Sequence, residues 1–238
     1  MNKKLLYSEK IKLSPSQFDL NDNLLPSAIF QIFQDTASVH GEMMGVGFET
    51  MVNKGFYWIT VRTKYDVLIQ PKLYQQVVVK TWPHPKGRVD FDRDYLVEDL
   101  FGNTLIKGIS KWCLISTLTR KLVLPSVVEY PVGAEFESNV NYDFKFEKTQ
   151  TVPAKEKPNF VHTVSLSEID HNKHLNNVHY AQYVFDCLQN EHLTHMQINY
   201  ISECKLGDVV DIYFEKVGED YLVSGYVAGQ LKFSALAK

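Results

Sequence analysis

Residues Asp19–Asp35 align on Asp170–Asp186 without a gap, at an offset of 151. The shared positions are Asp19/Asp170, Asn21/Asn172, Leu24/Leu175, Gln31/Gln182 and Asp35/Asp186. Farther on, Lys72-Leu73 aligns on Lys205-Leu206 at an offset of 133, so the second copy has 18 fewer residues between the two anchors. A duplicated chain must fold each copy alike and then join the copies, which removes most architectures open to 238 residues.

The periodicities say what one copy contains. Ile59, Val61, Thr63, Tyr65, Val67 and Ile69 alternate with Trp58, Thr60, Arg62, Lys64 and Asp66, the pattern of a half-buried strand. The runs Gln75–Trp82, Arg88–Glu98 and Thr104–Thr117 follow, with Gly87 and Gly102-Asn103 at the turns. Connections this short make neighbouring strands antiparallel. Ahead of them, Leu25, Ile29, Ile32, Phe33, Thr36, His40 and Met43 recur at helical steps, with Pro26 in the first turn. The second copy reads likewise. Phe160–Ser165 is a strand, and Asn177 caps a helix with Ala181, Val184, Phe185 and Leu188 on one face. His195–Ser202, Asp208–Lys216, Tyr221–Ala228 and Gln230–Leu236 are strands, with Gly218 and Gly229 at turns. The fold class is α+β: strand, helix and four strands, twice. Glu147–Pro158 is rich in Lys, Glu and Pro and reads as a linker. The chain therefore divides into a unit at 1–135, a linker at 136–159 and a unit at 160–238.

Composition narrows the function. A net charge of −3 and a pI of about 6.2 argue against nucleic acid as the main partner. No run approaches the 18 apolar residues of a membrane span, so no membrane insertion is expected. Only Leu5, Leu6 and Tyr7 interrupt a polar start, too little for a signal peptide, which points to the cytoplasm. Cys113, Cys187 and Cys204 form an odd set without paired spacing and read as reduced thiols. Aromatics at 13% suit strands and an apolar ligand pocket.

The densest polar stretch, Glu168–Asn177, lies directly before the second helix. Unpaired N–H groups at a helix start favour developing negative charge, such as a carbonyl becoming an oxyanion. Asp170, Asn172 and His174 beside that place outline a hydrolytic site. In the first copy Asn23 stands where His174 stands, so only the second copy carries the imidazole. The alternative is a polar turn whose Asp and Asn residues cap the helix and brace the loop. His171, His174 and His179 make a poor metal set, lacking a Cys pair or the HExxH spacing. Glu203-Cys204 is the second candidate. The carboxylate is a general base for water and the thiol a nucleophile, or Cys204 is simply a small buried residue. Gln70-Pro71 take these places in the first copy, so neither chemistry survives there.

Two blocks carry a resemblance. Asp170-His171-Asn172-Lys173-His174-Leu175-Asn176-Asn177-Val178-His179-Tyr180 and Tyr200-Ile201-Ser202-Glu203-Cys204 are similar to the catalytic stretches of the fatty acyl–acyl carrier protein thioesterases, plant and bacterial. Val46-Gly47-Phe48, Trp58-Ile59-Thr60-Val61-Arg62 and Ser110-Lys111-Trp112 agree with it in the first copy. The resemblance implies a double hot-dog fold, two antiparallel sheets each wrapped around a long helix. It implies an N-terminal unit that shapes an acyl pocket and a C-terminal unit that carries catalysis. The reaction is then hydrolysis of an acyl thioester on an acyl carrier protein, with neither metal nor organic cofactor. Glu203 is the expected base, acting directly or through His174. Asn172 and the helix start hold the carbonyl, Asp170 orients Asn172 or His174, and Cys204 paired with His174 is the runner-up nucleophile. Met43, Met44, Phe56 and Trp58 are the expected pocket residues. Lys86 and Arg88 are expected to dock the acidic carrier. Arg62 and Lys64 are further basic residues, and Arg93 sits in the apolar phase of its strand. Only 64 residues follow His174, fewer than in the plant enzymes, and no transit peptide is evident, which fits a bacterial cytosolic member. An acyl-CoA thioesterase, another hot-dog reaction such as a hydroxyacyl dehydratase, and a non-catalytic acyl-carrier binding module stay open, as does a homodimer.

Overall fold

The computed structural model describes residues 5–130, 146–189 and 192–238. Residues 131–145, which hold the end of the expected first unit and most of the first half of the expected linker, lie outside the described residues. The first copy forms β1 (Tyr7–Lys12), α1 (Pro26–Met43), α2 (Phe48–Asn53), β2 (Phe56–Val67), β3 (Gln76–Pro83), β4 (Phe91–Glu98), β5 (Thr104–Ser116) and β6 (Leu122–Val123). The second forms β7 (Phe160–Thr163), α3 (Asn177–Leu188), β8 (His195–Tyr200), β9 (Val209–Val217), β10 (Asp220–Val227) and β11 (Gln230–Ala237). The strands make one sheet in the order β1-β3-β4-β5-β2-β8-β11-β10-β9-β7, with β6 beside β5. Every pairing is antiparallel, and the order mirrors itself about the β2–β8 seam. The two helices pack against each other. This is the double hot-dog arrangement.

The duplication holds in the hydrogen bonds. Lys12 pairs with Gln76 and Ile11 with Val77; Thr163 pairs with Val209 and His162 with Val210. These are the same pairs displaced by 151 on one strand and 133 on the other. The turn before each helix repeats as well. Phe18 bridges Leu24 as Ile169 bridges Leu175, and Asp22 and Lys173 both take a left-handed backbone at φ 61° and 66°. The 18-residue shortening falls between the two anchors. There α3 has 12 residues against 18 in α1, β8 has 6 against 12 in β2, and among the described residues nothing answers α2.

Four details depart from the sequence reading. The helix cap is Asn176, one residue before the expected Asn177; its Oδ1 accepts the Val178 N–H at 3.3 Å. Met43 is 71% exposed although its helical phase matches the buried face. The chain reverses at Gly45, φ 72°, and Val46 fills the core there instead. The alternation along β2 breaks at Val61. Thr60 pairs with Trp112 and Arg62 with Lys111, so Val61 is the extra residue of a bulge. Trp58, Thr60, Thr63 and Tyr65 therefore share the helix-facing side, and Arg62, Lys64 and Asp66 share the other. Finally, the Glu147–Pro158 segment has no helix or strand, yet it is tied to the outer sheet face. The Glu147 N–H donates to Gln197 Oε1 at 2.7 Å, and Gln197 Nε2 returns a bond to the Glu147 carbonyl at 2.9 Å. The Val152 N–H and carbonyl bond to Ser224 and Tyr226.

The first unit's core turns on Phe33, whose ring stacks on Tyr95 at 4.3 Å directly over Gly108 of β5. A Cβ at Gly108 would lie 2.1 Å from Phe33 Cε2. Gly108→Ala should therefore destabilise the chain by about 1–3 kcal/mol, the usual cost of overpacking. Urea titration measures this, and an unchanged midpoint would contradict the packing.

Nearby, Arg93 is buried, with Nη1 2.9 Å from His40 Nδ1 and 3.2 Å from Thr81 Oγ1. Burial, and then the Arg93 charge, pull the His40 pKa down to about 4. Protonation of His40 thus favours the unfolded chain. Its contribution is complete above pH 6.5 and is lost as pH falls from there toward 4, at up to about 1.4 kcal/mol per pH unit. The His40→Gln variant should show a shallower loss of stability over this window than the wild type. Parallel slopes would contradict the assignment.

Candidate active site

β2 pairs with β8 only from Arg62 to Asp66. Beyond the Val61 bulge the two strands part. Phe56–Val61 continues along β5, while the chain after Tyr200 runs beside β11 through Ile201 and Ser202 N–H bonds to the Lys232 carbonyl. The opening between them is a cavity of about 580 Å³. Its apolar wall comes from the first unit and includes Met44, Val46, Trp58, Phe91 and Trp112. The second unit lines it with Asp170, Asn172, His174 and Glu203, and Glu42, Asp92, Arg93 and Arg120 of the first add further charge. Phe48 and His171 meet edge to face across the two units at 4.3 Å.

The turn before α3 explains how the polar groups are aimed. Asp170 Oδ1 accepts the Asn172 N–H at 2.8 Å and the His174 N–H at 3.4 Å, and Oδ2 lies 3.4 Å from Asn172 Nδ2. Asp19 braces the first copy's turn in the same way, and there Asn23 folds back so that its Nδ2 donates to Asp19 at 3.2 Å. His174 instead reaches outward, placing Nε2 3.0 Å from Glu203 Oε2. The bracing role and the outward imidazole thus coexist in one turn. Asp170 touches both residues it was expected to orient. The Asn177 N–H, first in α3, has no intrahelical acceptor, and residue Asn177 lines the cavity with Asn172.

Glu203 is held from several sides. The Leu175 N–H donates to the Cys204 carbonyl at 3.0 Å, and the Cys204 N–H donates to the Tyr180 hydroxyl at 3.2 Å. Lys232 Nζ donates to the Glu203 carbonyl at 3.1 Å. These bonds tie the strand exit to the His174 turn. Cys204 itself is fully buried in the core and is not part of the cavity lining; burial pushes its thiol pKa up. That environment is poor for a thiolate nucleophile.

Of the expected pocket residues, Met44 and Trp58 line the cavity. Trp58 is fixed by its Nε1–H, which donates to the Val46 carbonyl at 2.8 Å. Phe56 packs behind the wall against the Val46, Met51, Phe91 and Leu114 cluster, and Met43 points to solvent. Lys86 and Arg88 are exposed between β3 and β4, away from the lining. Arg93 lines the cavity instead of the surface. Sequence reasoning missed Arg120, whose Nη2 lies 3.0 Å from Glu203 Oε2. A charged residue in a surface turn carries no signal of such a partner.

Comparison with known proteins gives the family and the fold. Residues 4–129 match the acyl-ACP thioesterase N-terminal domain, and residues 151–231 match the acyl-ACP thioesterase C-terminal domain. Among curated relatives, the chloroplastic oleoyl-acyl carrier protein thioesterase of Coriandrum sativum is 27% identical over 241 aligned positions, covering 92% of this chain. The chain spans 65% of that relative's length. Two of the solved structures that share the fold are similar over nearly the whole chain. The acyl-ACP thioesterase of Bacteroides thetaiotaomicron superposes with a TM-score of 0.84 at 21% identity, covering 98% of this chain and 96% of its own. The 12:0-ACP thioesterase of Umbellularia californica gives 0.85 at 22% identity, with the same coverage of both chains. With two domain matches in series across most of its length, the chain belongs to the acyl-ACP thioesterase family.

Proposed function

We propose that this chain hydrolyses fatty acyl thioesters of an acyl carrier protein, releasing free acid and carrier thiol. The observation that carries this reading is the His174–Glu203 pair, 3.0 Å apart, beside the start of α3 and lining the same cavity as Met44, Val46, Trp58, Phe91 and Trp112. The first unit then shapes the acyl pocket and the second carries catalysis. The acyl chain lies along Met44 and Trp58, and its carbonyl oxygen faces Asn172 Nδ2 and the Asn177 N–H. Those donors are fixed before the reaction, so they favour the developing oxyanion without reorganising. Glu203 Oε2 already receives His174 Nε2, and Oε1, which meets Arg120 Nη2 only at 3.3 Å, keeps a lone pair for the proton of an attacking water. The water oxygen bonds to the carbonyl carbon, the C–S bond breaks, and the proton passes from Glu203 to the departing sulfur. Glu203 is preferred to Cys204 because the thiol is buried away from the cavity.

Thiol release from acyl-carrier substrates tests the assignment. His174→Ala should lower turnover by about 10²–10⁴-fold, the range for a positioned acid–base group. Glu203→Ala should abolish most activity, and Cys204→Ala should keep it. The reverse order, or an acyl group trapped on Cys204, gives the chemistry to the thiol.

The same assay reads the pocket and the carrier. Bulkier or smaller residues at Met44 or Trp58 should shift the preferred chain length, and a fixed profile would place the pocket elsewhere. Reversing the charges of Lys86 and Arg88 should raise KM for the carrier substrate only. Equal loss on a small soluble thioester would end the docking role. Faster turnover of the matching acyl-CoA would replace the carrier protein as substrate.

A further inference from the structure

Arg120 lies in the turn from β5 to β6, in the first unit, and its guanidinium ends on a carboxylate of the second. Its Nη2 is 3.0 Å from Glu203 Oε2 and 3.3 Å from Oε1. Its Cζ stands 5.2 Å from the centroid of the Tyr57 ring, so the planar group is flanked by an aromatic face while it grips the acid. The turn is closed by the Arg120 N–H donating to the Ser116 carbonyl and by the Thr119 N–H donating to Ser116 Oγ. Arg120 has φ 57°, the left-handed region where glycine or asparagine is the easy choice. A strained backbone held at a functional site calls for a reason in the side chain it presents.

Stability does not supply that reason. The Arg120 and Glu203 side chains are 53% and 38% exposed, and ion pairs this open to water contribute little to folding. Position does. Glu203 Oε2 receives Arg120 and His174 together, each at 3.0 Å, so the carboxylate is clamped from both units at the cavity wall. An unclamped glutamate at a strand exit samples several rotamers, and a displacement of about 1 Å at a reacting group is enough to slow a reaction severely.

From this we infer that Arg120 is a positioning residue for the hydrolysis, holding the Glu203 carboxylate against His174 from the opposite unit. The inference rests on the reading of Glu203 as the base. It also makes the active site a product of both copies: the reacting groups come from one, and the residue that aims them comes from the other.

The test is steady-state kinetics of the full chain on a carrier-bound acyl thioester and on a small soluble thioester. Arg120→Ala should lower kcat about tenfold or more on both substrates, with KM for the soluble one nearly unchanged and the thermal midpoint preserved. Arg120→Lys should recover part of kcat, because a cation returns without the two-point grip. In a Glu203→Gln background, adding Arg120→Ala should cost little more, since there is no carboxylate left to aim. Unchanged kcat in Arg120→Ala, an equal further loss in the Glu203→Gln background, or an effect confined to KM for the carrier substrate would each overturn the inference. Full turnover in Glu203→Gln alone would remove the base assignment itself, and this role with it. A dead Glu203→Gln beside a normal Arg120→Ala removes only the positioning role.

Discussion

Five backbone pairs, from Arg62 with Asn199 to Asp66 with His195, join the two halves of the sheet. The seam is short because the bulge at Val61 turns β2 away from β8 immediately beyond it. If the pairing continued, the sheet would close and leave no cavity between the units. The opening depends on this limit, and so does the meeting of Met44, Trp58 and Trp112 of one copy with His174 and Glu203 of the other in one cavity. Bulges re-aim side chains next to active sites, and here the bulge also carries Trp58 and Thr60 to the helix-facing side.

Both copies keep the same braced turn before their helix, down to the aspartate that accepts two backbone N–H groups. The scaffold is shared and its contents differ. In the first copy Asn23 closes back on its aspartate and the helix runs on for 18 residues. In the second, His174 leaves the turn and meets Glu203, where the first copy has Gln70. One scaffold thus carries a closed asparagine in one copy and the His174–Glu203 pair in the other.

Much of this was legible in the residues. The offsets of 151 and 133 mark two registers that recur pair for pair in the sheet, because strand pairing leaves no freedom to slip when one face is buried. Helices, hairpins and the polar turn follow from spacing and turn residues. What could not be read depends on pairing and on distant contacts. Val61 continues the alternation perfectly in sequence, and only its partners reveal it as the extra residue. Met43 has the right helical phase, but the chain reverses at Gly45 and Val46 takes the core position. Glu147–Pro158 has linker composition, yet it is fixed through backbone groups, which leave no trace in residue type. Arg120 looks like any solvated charge until Glu203, 83 residues away, is brought to it.

The central claim is that Glu203, beside His174, drives hydrolysis of a carrier-bound acyl thioester. The most direct measurement is free acid and thiol released from a panel of acyl-carrier thioesters of varied chain length, by the wild type and by Glu203→Gln. The account predicts one thiol for each acid released by the wild type, a preferred chain length, and near-complete loss in the variant. Tight binding without release by the wild type, or undiminished release by Glu203→Gln, would contradict it.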